Sequence, residues 1–359
     1  MTPMHREPIT GPMAWRGSDF RGKDDIAFDL TAAHRGALEE VLAGIKRSGV
    51  ALGDIGREHG AHPALDRDLQ GVFEEIQHGR GIVIMRGIPV EGKSIEDVGK
   101  LYWAIGAHFG LGVSQSALGD LLGQVRDETL PGADQSARGY LSRRELSLHT
   151  DLAAIVGLLC VRSAREGGFS QYASGLAIHN EIRAARPDLL EVLYRGFHYH
   201  RRGEEPAHHA PITPYRVPAF SKVGDDVSVF HVREIAAVAM RDMNRDYTAE
   251  EKEAIDLFEA TARRVQFETR LEAGEATFLN NYTQLHARSE FVDHDDPAQK
   301  RLMLRLWLDV PGGRQVVPEI HVYENADGRS GIDHQPGRLP AQPKYNLKRD
   351  AERRQAAAD

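Results

Sequence analysis

The stretch Ser147-Leu148-His149-Thr150-Asp151 constrains this chain more than any other once His286 is set beside it. Side chains on an extended segment alternate between faces, so a His and an Asp two apart point to the same side. A second His arriving from far along the chain completes two imidazoles and one carboxylate on one face of a metal, leaving the opposite positions open. His-x-Asp alone is a weak signal in 359 residues containing 17 His. The long separation to His286 strengthens it, and so does the apolar run Lys300 to Leu308, which carries Arg301 and Arg305 on one face. An Arg facing inward from such a run must meet an anion, because an unpaired buried charge is prohibitive.

Four segments are then seen together: His149-Thr150-Asp151, Gly167-Gly168-Phe169-Ser170, Leu285-His286-Ala287-Arg288 and Arg301-x-x-x-Arg305. In order and spacing, from about Ile82 to Leu308, they resemble the taurine dioxygenase/clavaminate synthase-like family of Fe(II)/2-oxoglutarate oxygenases. The resemblance implies a double-stranded β-helix, or jelly roll, with surrounding helices. It also implies Fe(II) held by His149, Asp151 and His286, with 2-oxoglutarate and O2 as co-substrates. The implied reaction hydroxylates a small molecule and releases succinate and CO2. Arg301 resembles the Arg that forks onto the distal carboxylate of 2-oxoglutarate, a pairing that Lys does not reproduce. Arg305 resembles the Arg nearer the metal, close to the keto-acid carboxylate or an anionic substrate group. Ser170 stands where the family usually has Thr and keeps the hydroxyl. Halogenases of this fold carry Gly or Ala in place of Asp151, so the resemblance favours hydroxylation or desaturation. Arg138, Tyr140 and Asn281 flank the metal segments and are the candidate substrate contacts.

Read from residue types alone, alternatives stay open. Arg301 and Arg305 can be surface residues of an edge strand, and Ser170 a turn former. Trp103 and Trp307 sit in apolar periodic segments and read as core. Two other functions remain in view: a cupin-type metal enzyme that does not use 2-oxoglutarate, and a non-catalytic ligand-binding protein on the same scaffold. Arg301 separates the first of these from the favoured reading, and iron content separates the second.

Net charge −8 and a pI near 6.1 argue against a general nucleic-acid or anionic-membrane binder, which needs a basic face. No apolar run reaches the roughly 18 residues that span a bilayer, and Met1 to Arg16 lacks an apolar signal core. The single cysteine, Cys160, excludes an intramolecular disulfide and reads as a core residue of the run Ile155 to Val161. The expectation is a cytoplasmic enzyme with a small-molecule substrate, and self-association into a homo-oligomer is left open.

In chain order, residues 1–30 read as an irregular arm, 31–315 as the oxygenase domain and 316–359 as a polar tail. Leu38, Val41, Leu42 and Ile45, then Leu65, Leu69, Val72, Phe73 and Ile76, predict amphipathic helices. Helices are also expected from Ser94, from Pro187 to about Tyr194, and from Thr248 to about Arg264, the last opened by a Thr-x-x-Glu capping box. Apolar runs predict strands at 81–87, 158–161, 171–173, 227–232, 277–280 and 302–310. Residues 114–144 read as a loop-rich lid. The His-rich, Pro-rich stretch 196–222 reads as a polar loop with solvated imidazoles.

Overall fold

A computed structural model describes residues 3–127, 142–206, 208–325 and 327–336. The strands run β1 (Ala27–Asp29), β2 (Ile82–Arg86), β3 (Leu111–Gly112), β4 (Leu122–Val125), β5 (Leu146–His149), β6 (Ile155–Arg162), β7 (Glu166–Gly167) and β8 (Ser170–Ser174). They continue as β9 (Phe220–Val223), β10 (Asp226–Val229), β11 (Phe267–Thr269), β12 (Glu275–Asn280), β13 (Gln284–Arg288), β14 (Phe291–Val292) and β15 (Leu302–Asp309). The helices are α1 (Ala32–Ser48), α2 (Arg57–Gly60), α3 (Asp66–Gln77), α4 (Ile95–Gly106), α5 (Gly175–Ala185), α6 (Pro187–Arg195), α7 (Arg233–Asp242) and α8 (Ala249–Val265).

Two sheets carry the fold. The major sheet has the order β1-β2-β12-β6-β15-β3, with β4 also on β15, and the minor sheet is β11-β8-β13-β5. All of these pairings are antiparallel except β1 with β2. Strand alternation decides which residues meet between the sheets. On β15, Leu302, Leu304, Leu306 and Leu308 turn outward into an apolar cluster shared with α1, α3 and α4. The intervening Arg301, Met303, Arg305 and Trp307 face the space between the sheets. On β13, Leu285 and Ala287 join the cluster of α5, α6 and α8, which leaves His286 and Arg288 facing inward. The sheets lock to each other through a small apolar cluster, including Ile84, Leu279, Met303 and Tyr172, and through a 2.6 Å bond between Tyr172 Oη and Thr277 Oγ1.

Helix starts follow local chemistry. Thr31, Ser94, Ser174 and Thr248 each accept a backbone N–H at the first turn of α1, α4, α5 and α8, supplying one of the acceptors a helix start lacks. Thr248 and Glu251 form the reciprocal box read from the sequence.

Several boundaries differ from expectation. The N-terminal arm is not simply irregular: it includes short 3-10 turns, pairs β1 with β2, and buries Trp15, Ile26 and Leu30. The polar tail does not begin at residue 316, because Val317, Ile320, Val322, Tyr323 and Ile332 are buried in the core. Arg201, 1% exposed, fastens that segment by donating to Val322 O, Ala210 O and Glu324. The His-rich stretch is not uniformly solvated: His200 is buried, 3.3 Å from Asp242, and no metal-like cluster forms there among the described residues. The expected lid at 114–144 carries β4 on the major sheet, and its later part lies outside the described residues. The part of the expected polar tail beyond residue 336 lies outside them too.

Candidate metal and co-substrate site

His149 ends β5 and is registered directly against His286 on β13. Paired residues on neighbouring antiparallel strands share a face, so the imidazoles meet, with ring centroids 4.4 Å apart. His149 Nδ1 lies 2.8 Å from Ser147 O. A carbonyl only accepts, so Nδ1 carries the proton and Nε2 keeps its lone pair for a metal. Asp151 lies just beyond the strand end rather than on it, so alternation alone does not aim its carboxylate. A set of bonds holds this turn. Thr150 N donates to His231 O, and His231 N donates to Thr150 Oγ1. Asp151 N donates to Asn281 Oδ1 at 2.9 Å, while Asn281 Nδ2 donates to Asp151 O and Ala153 O at 2.8 and 2.7 Å. Potential ligand atoms of His149, Asp151 and His286 then lie within 4.8 Å of one another.

The electrostatics suit a cation. Burial alone raises the Asp151 carboxyl, but Arg305, His286, His149 and the Trp307 N–H outweigh it and hold the group below the usual carboxylate range. Burial, with help from His149 and Arg305, pulls His286 down to about 3 against the opposing pull of Asp151, so its imidazole is neutral and able to ligate. His286 Nδ1 is buried without a partner among the described residues. Two imidazoles and a carboxylate on one wall, with the rest of the cavity open before them, fit a divalent non-haem iron.

Arg301, Ser170 and Arg305 all line the same cavity, of about 650 Å³. Arg301 immediately precedes β15 and is 4% exposed, which overturns the surface alternative. Its Nη2 donates to Met303 Sδ at 2.8 Å, and Nη1 is buried with no acceptor among the described residues. Burial lowers its pKa. Ser170, also buried, opens β8 after a turn in which Gly167 and Gly168 both take positive φ, +69° and +67°. A Cβ on Gly167 would lie 2.4 Å from Glu290 O, so the residue pair before Ser170 is tightly constrained. Arg305 is turned toward the metal ligand: Nη1 lies 3.1 Å from Asp151 Oδ1, Nε donates to Gln115 Oε1 at 2.8 Å, and the guanidinium lies over the Trp307 ring.

Asn281 was a candidate substrate contact. It is 1% exposed, and its side chain is engaged by the Asp151 turn, which makes it a positioning residue instead. Arg138 and Tyr140 lie outside the described residues. Trp307, read as core, lines the cavity and donates to Asp151 Oδ2 at 2.9 Å. Trp103 and Cys160 are core as expected, and burial raises the Cys160 thiol to about 12. The phase of β15 was the available signal for Trp307, since it lies two residues from Arg305 on the same face. Arg288, two residues beyond His286, is 4% exposed and lines the cavity, and burial together with Arg301 lowers its pKa to about 9.

A facing-sheet core with a His-Asp-His wall and a buried Arg beside it fits the class of non-haem iron oxygenases that use 2-oxoglutarate. The chain belongs to the taurine catabolism dioxygenase TauD, TfdA family, whose model matches residues 48–307. It is 28% identical over 321 residues to FR-33289 synthase of Streptomyces rubellomurinus, covering 88% of this chain and 94% of that protein. It is 25% identical over 311 residues to a taurine hydroxylase-like protein of Stachybotrys chartarum, covering 83% and 79%. Two solved structures share its double-stranded β-helix fold. An asparagine oxygenase in complex with Fe(II), 3-hydroxyasparagine and succinate gives a TM-score of 0.61 at 16% identity, over 79% of this chain and 93% of that one. The non-haem iron oxygenase OrfP with Fe, succinate and 3-hydroxyarginine gives 0.60 at 14% identity, over 86% and 99%. The chain is an Fe(II)/2-oxoglutarate-dependent oxygenase.

Proposed function

We propose that His149, Asp151 and His286 hold the iron, that Arg301 and Ser170 receive the distal carboxylate of 2-oxoglutarate, and that the enzyme hydroxylates a small molecule in the outer part of the same cavity. The observation that carries this reading is Arg301, which lines the metal cavity with its Nη1 buried and no acceptor for it among the described residues. A cupin-type enzyme without the keto acid leaves that cation unexplained. Iron with 2-oxoglutarate and O2 supplies the oxidising chemistry: one oxygen atom enters succinate, CO2 leaves, and the other oxygen atom enters a substrate C–H bond.

The protein's own residues place and protect. His149 is held in the ligating tautomer by Ser147 O. Trp307 and Arg305 each donate to Asp151, which orients the carboxylate and offsets its charge before a metal arrives. Val232, Ile235, Val238 and Ile332 supply an apolar wall, and Glu204, Glu234, Arg202 and Arg241 supply charges of both signs around it. That mixture supports a small substrate carrying both an apolar part and a polar head. A reducing, cytoplasmic setting accords with the one buried thiol.

The test is succinate release from 2-oxoglutarate across a panel of small carboxylates and amino acids, with anaerobic 2-oxoglutarate binding measured alongside. Stimulated succinate release with wild-type protein that is lost in Arg301→Gln is expected. Tight iron binding with no affinity for 2-oxoglutarate would refute the co-substrate assignment.

A further inference from the structure

Arg288 closes β13 two residues beyond His286, on the same inward face. Its Cα is registered against that of Ser170 on β8, which makes the two side chains direct cross-strand neighbours. Arg288 Nη2 donates to Arg144 O and Nε to Ser289 O at 3.3 Å, leaving Nη1 buried without an acceptor among the described residues. Arg301 shows the same pattern. The two guanidinium groups lie 4.8 and 5.0 Å from the ring centroid of one residue, Phe291. Two carboxylates attract these groups from a distance, Asp127 acting on Arg288 and Asp293 on Arg301. Neither is hydrogen-bonded to a guanidinium of the pair: Asp127 sits 3.1 Å from Arg143, and Asp293 Oδ1 accepts the backbone N–H of Arg301.

Two buried cations around one ring therefore repel each other, and among the described residues no anion is hydrogen-bonded to either guanidinium. The face of a phenyl ring returns far less than the cost of burying an unmatched cation. Two bonds to backbone carbonyls do not need a positive charge either, since a neutral amide donates as well. What the arrangement lacks is an anion that enters from the cavity. We infer that Arg288 is a second cationic contact for the distal carboxylate of 2-oxoglutarate, across from Ser170 and beside Arg301. This rests on the co-substrate reading above. Through Arg144 O the same side chain also ties the anion site to the segment that leads into the metal strand β5.

The experiment is an anaerobic titration of the Fe(II) protein, followed by the chelate's charge-transfer absorption. Two probes are compared: 2-oxoglutarate, and 2-oxopentanoate, which has the same chelating head and no distal carboxylate. Wild type is expected to favour 2-oxoglutarate. Arg288→Gln should weaken 2-oxoglutarate about tenfold or more, as for a lost charge-assisted bond, and leave 2-oxopentanoate within about twofold. Arg288→Lys, which keeps the charge, should recover part of the loss, and it carries the comparison alone should the Gln variant not fold. Equal weakening of both keto acids in the Gln variant, or of neither, overturns the role of Arg288 while selectivity lost in Arg301→Gln leaves the co-substrate reading standing. A wild type that does not distinguish the two probes overturns the co-substrate reading and this inference together.

Discussion

Replacing Asn281 with Ala tests whether the metal turn is held from behind. The Asn281 side chain makes three buried hydrogen bonds, to Asp151 N, Asp151 O and Ala153 O, at 2.9, 2.8 and 2.7 Å. At roughly 1 kcal/mol per bond, their removal should cost about 3 kcal/mol of folding free energy. Because Asp151 lies beyond the strand end, losing these bonds should also release its carboxylate. Loss of a group that orients a ligand typically lowers metal affinity about 10- to 100-fold. Asn281→Asp should do worse than Ala on both counts. It keeps an acceptor for Asp151 N–H, but sets a negative charge against two carbonyl oxygens. The assay pairs urea unfolding of the iron-free protein with anaerobic Fe(II) titration. A substrate contact would behave differently, raising the substrate KM while leaving stability and metal affinity alone. Asn281→Ala with under about 1 kcal/mol of destabilisation and wild-type iron affinity would refute the reasoning.

Three further outcomes follow from the geometry. His149→Ala, Asp151→Ala and His286→Ala should each lose most Fe(II) affinity, since each removes one of three ligands; wild-type iron stoichiometry and affinity in any of them would remove that residue from the site. Arg301→Lys should weaken 2-oxoglutarate roughly ten- to a hundredfold and Ser170→Ala less, on the order of 1 kcal/mol, with iron binding intact in both; the reverse ranking in an anaerobic titration would be fatal to the assignment. His179 is buried against Tyr194, and burial pulls its pKa from 6.5 to about 3. The unfolded chain therefore binds a proton that the folded one refuses, so stability falls as pH drops from about 6 to 4, by at most about 1.4 kcal/mol per unit from this group. His179→Gln should show a shallower fall in urea melts over that window, and an unchanged slope would exclude the His179 contribution.

The sequence was most informative where chemistry narrows residue choice. His149, Asp151 and His286 were legible because few other side chains ligate iron, and the structure brings their ligand atoms together. Arg301 was legible because a cation within an apolar run implies burial, and it is buried. What stayed hidden depends on distance in space. Asn281 and Trp307 serve Asp151 from 130 and 156 residues away, and an Asn in a turn or a Trp in a strand carries no mark of its partner. The packing of Val317, Ile320, Val322, Tyr323 and Ile332 was missed because polar residues are interspersed among them. Its hold comes from Arg201, whose burial no local pattern announces. α7 was missed between a strand and a polar turn, and its Ile235 and Val238 prove to line the cavity.

The cavity is assembled from two kinds of material. Its floor belongs to β13 and β15, where each inward residue is flanked by outward leucines or alanines seated against helices. Its rim comes from α7, Arg202, Glu204, Tyr323 and Ile332. Exchange of a floor residue disturbs both faces of a sheet at once. A rim residue such as Val238 or Ile332 is bound by no such bilateral demand. With the substrate in the outer cavity as proposed, the chemistry of oxygen activation and the choice of guest are mechanically separable. An engineer wishing to change what it oxidises has a stretch of wall to rebuild that leaves the iron where it was.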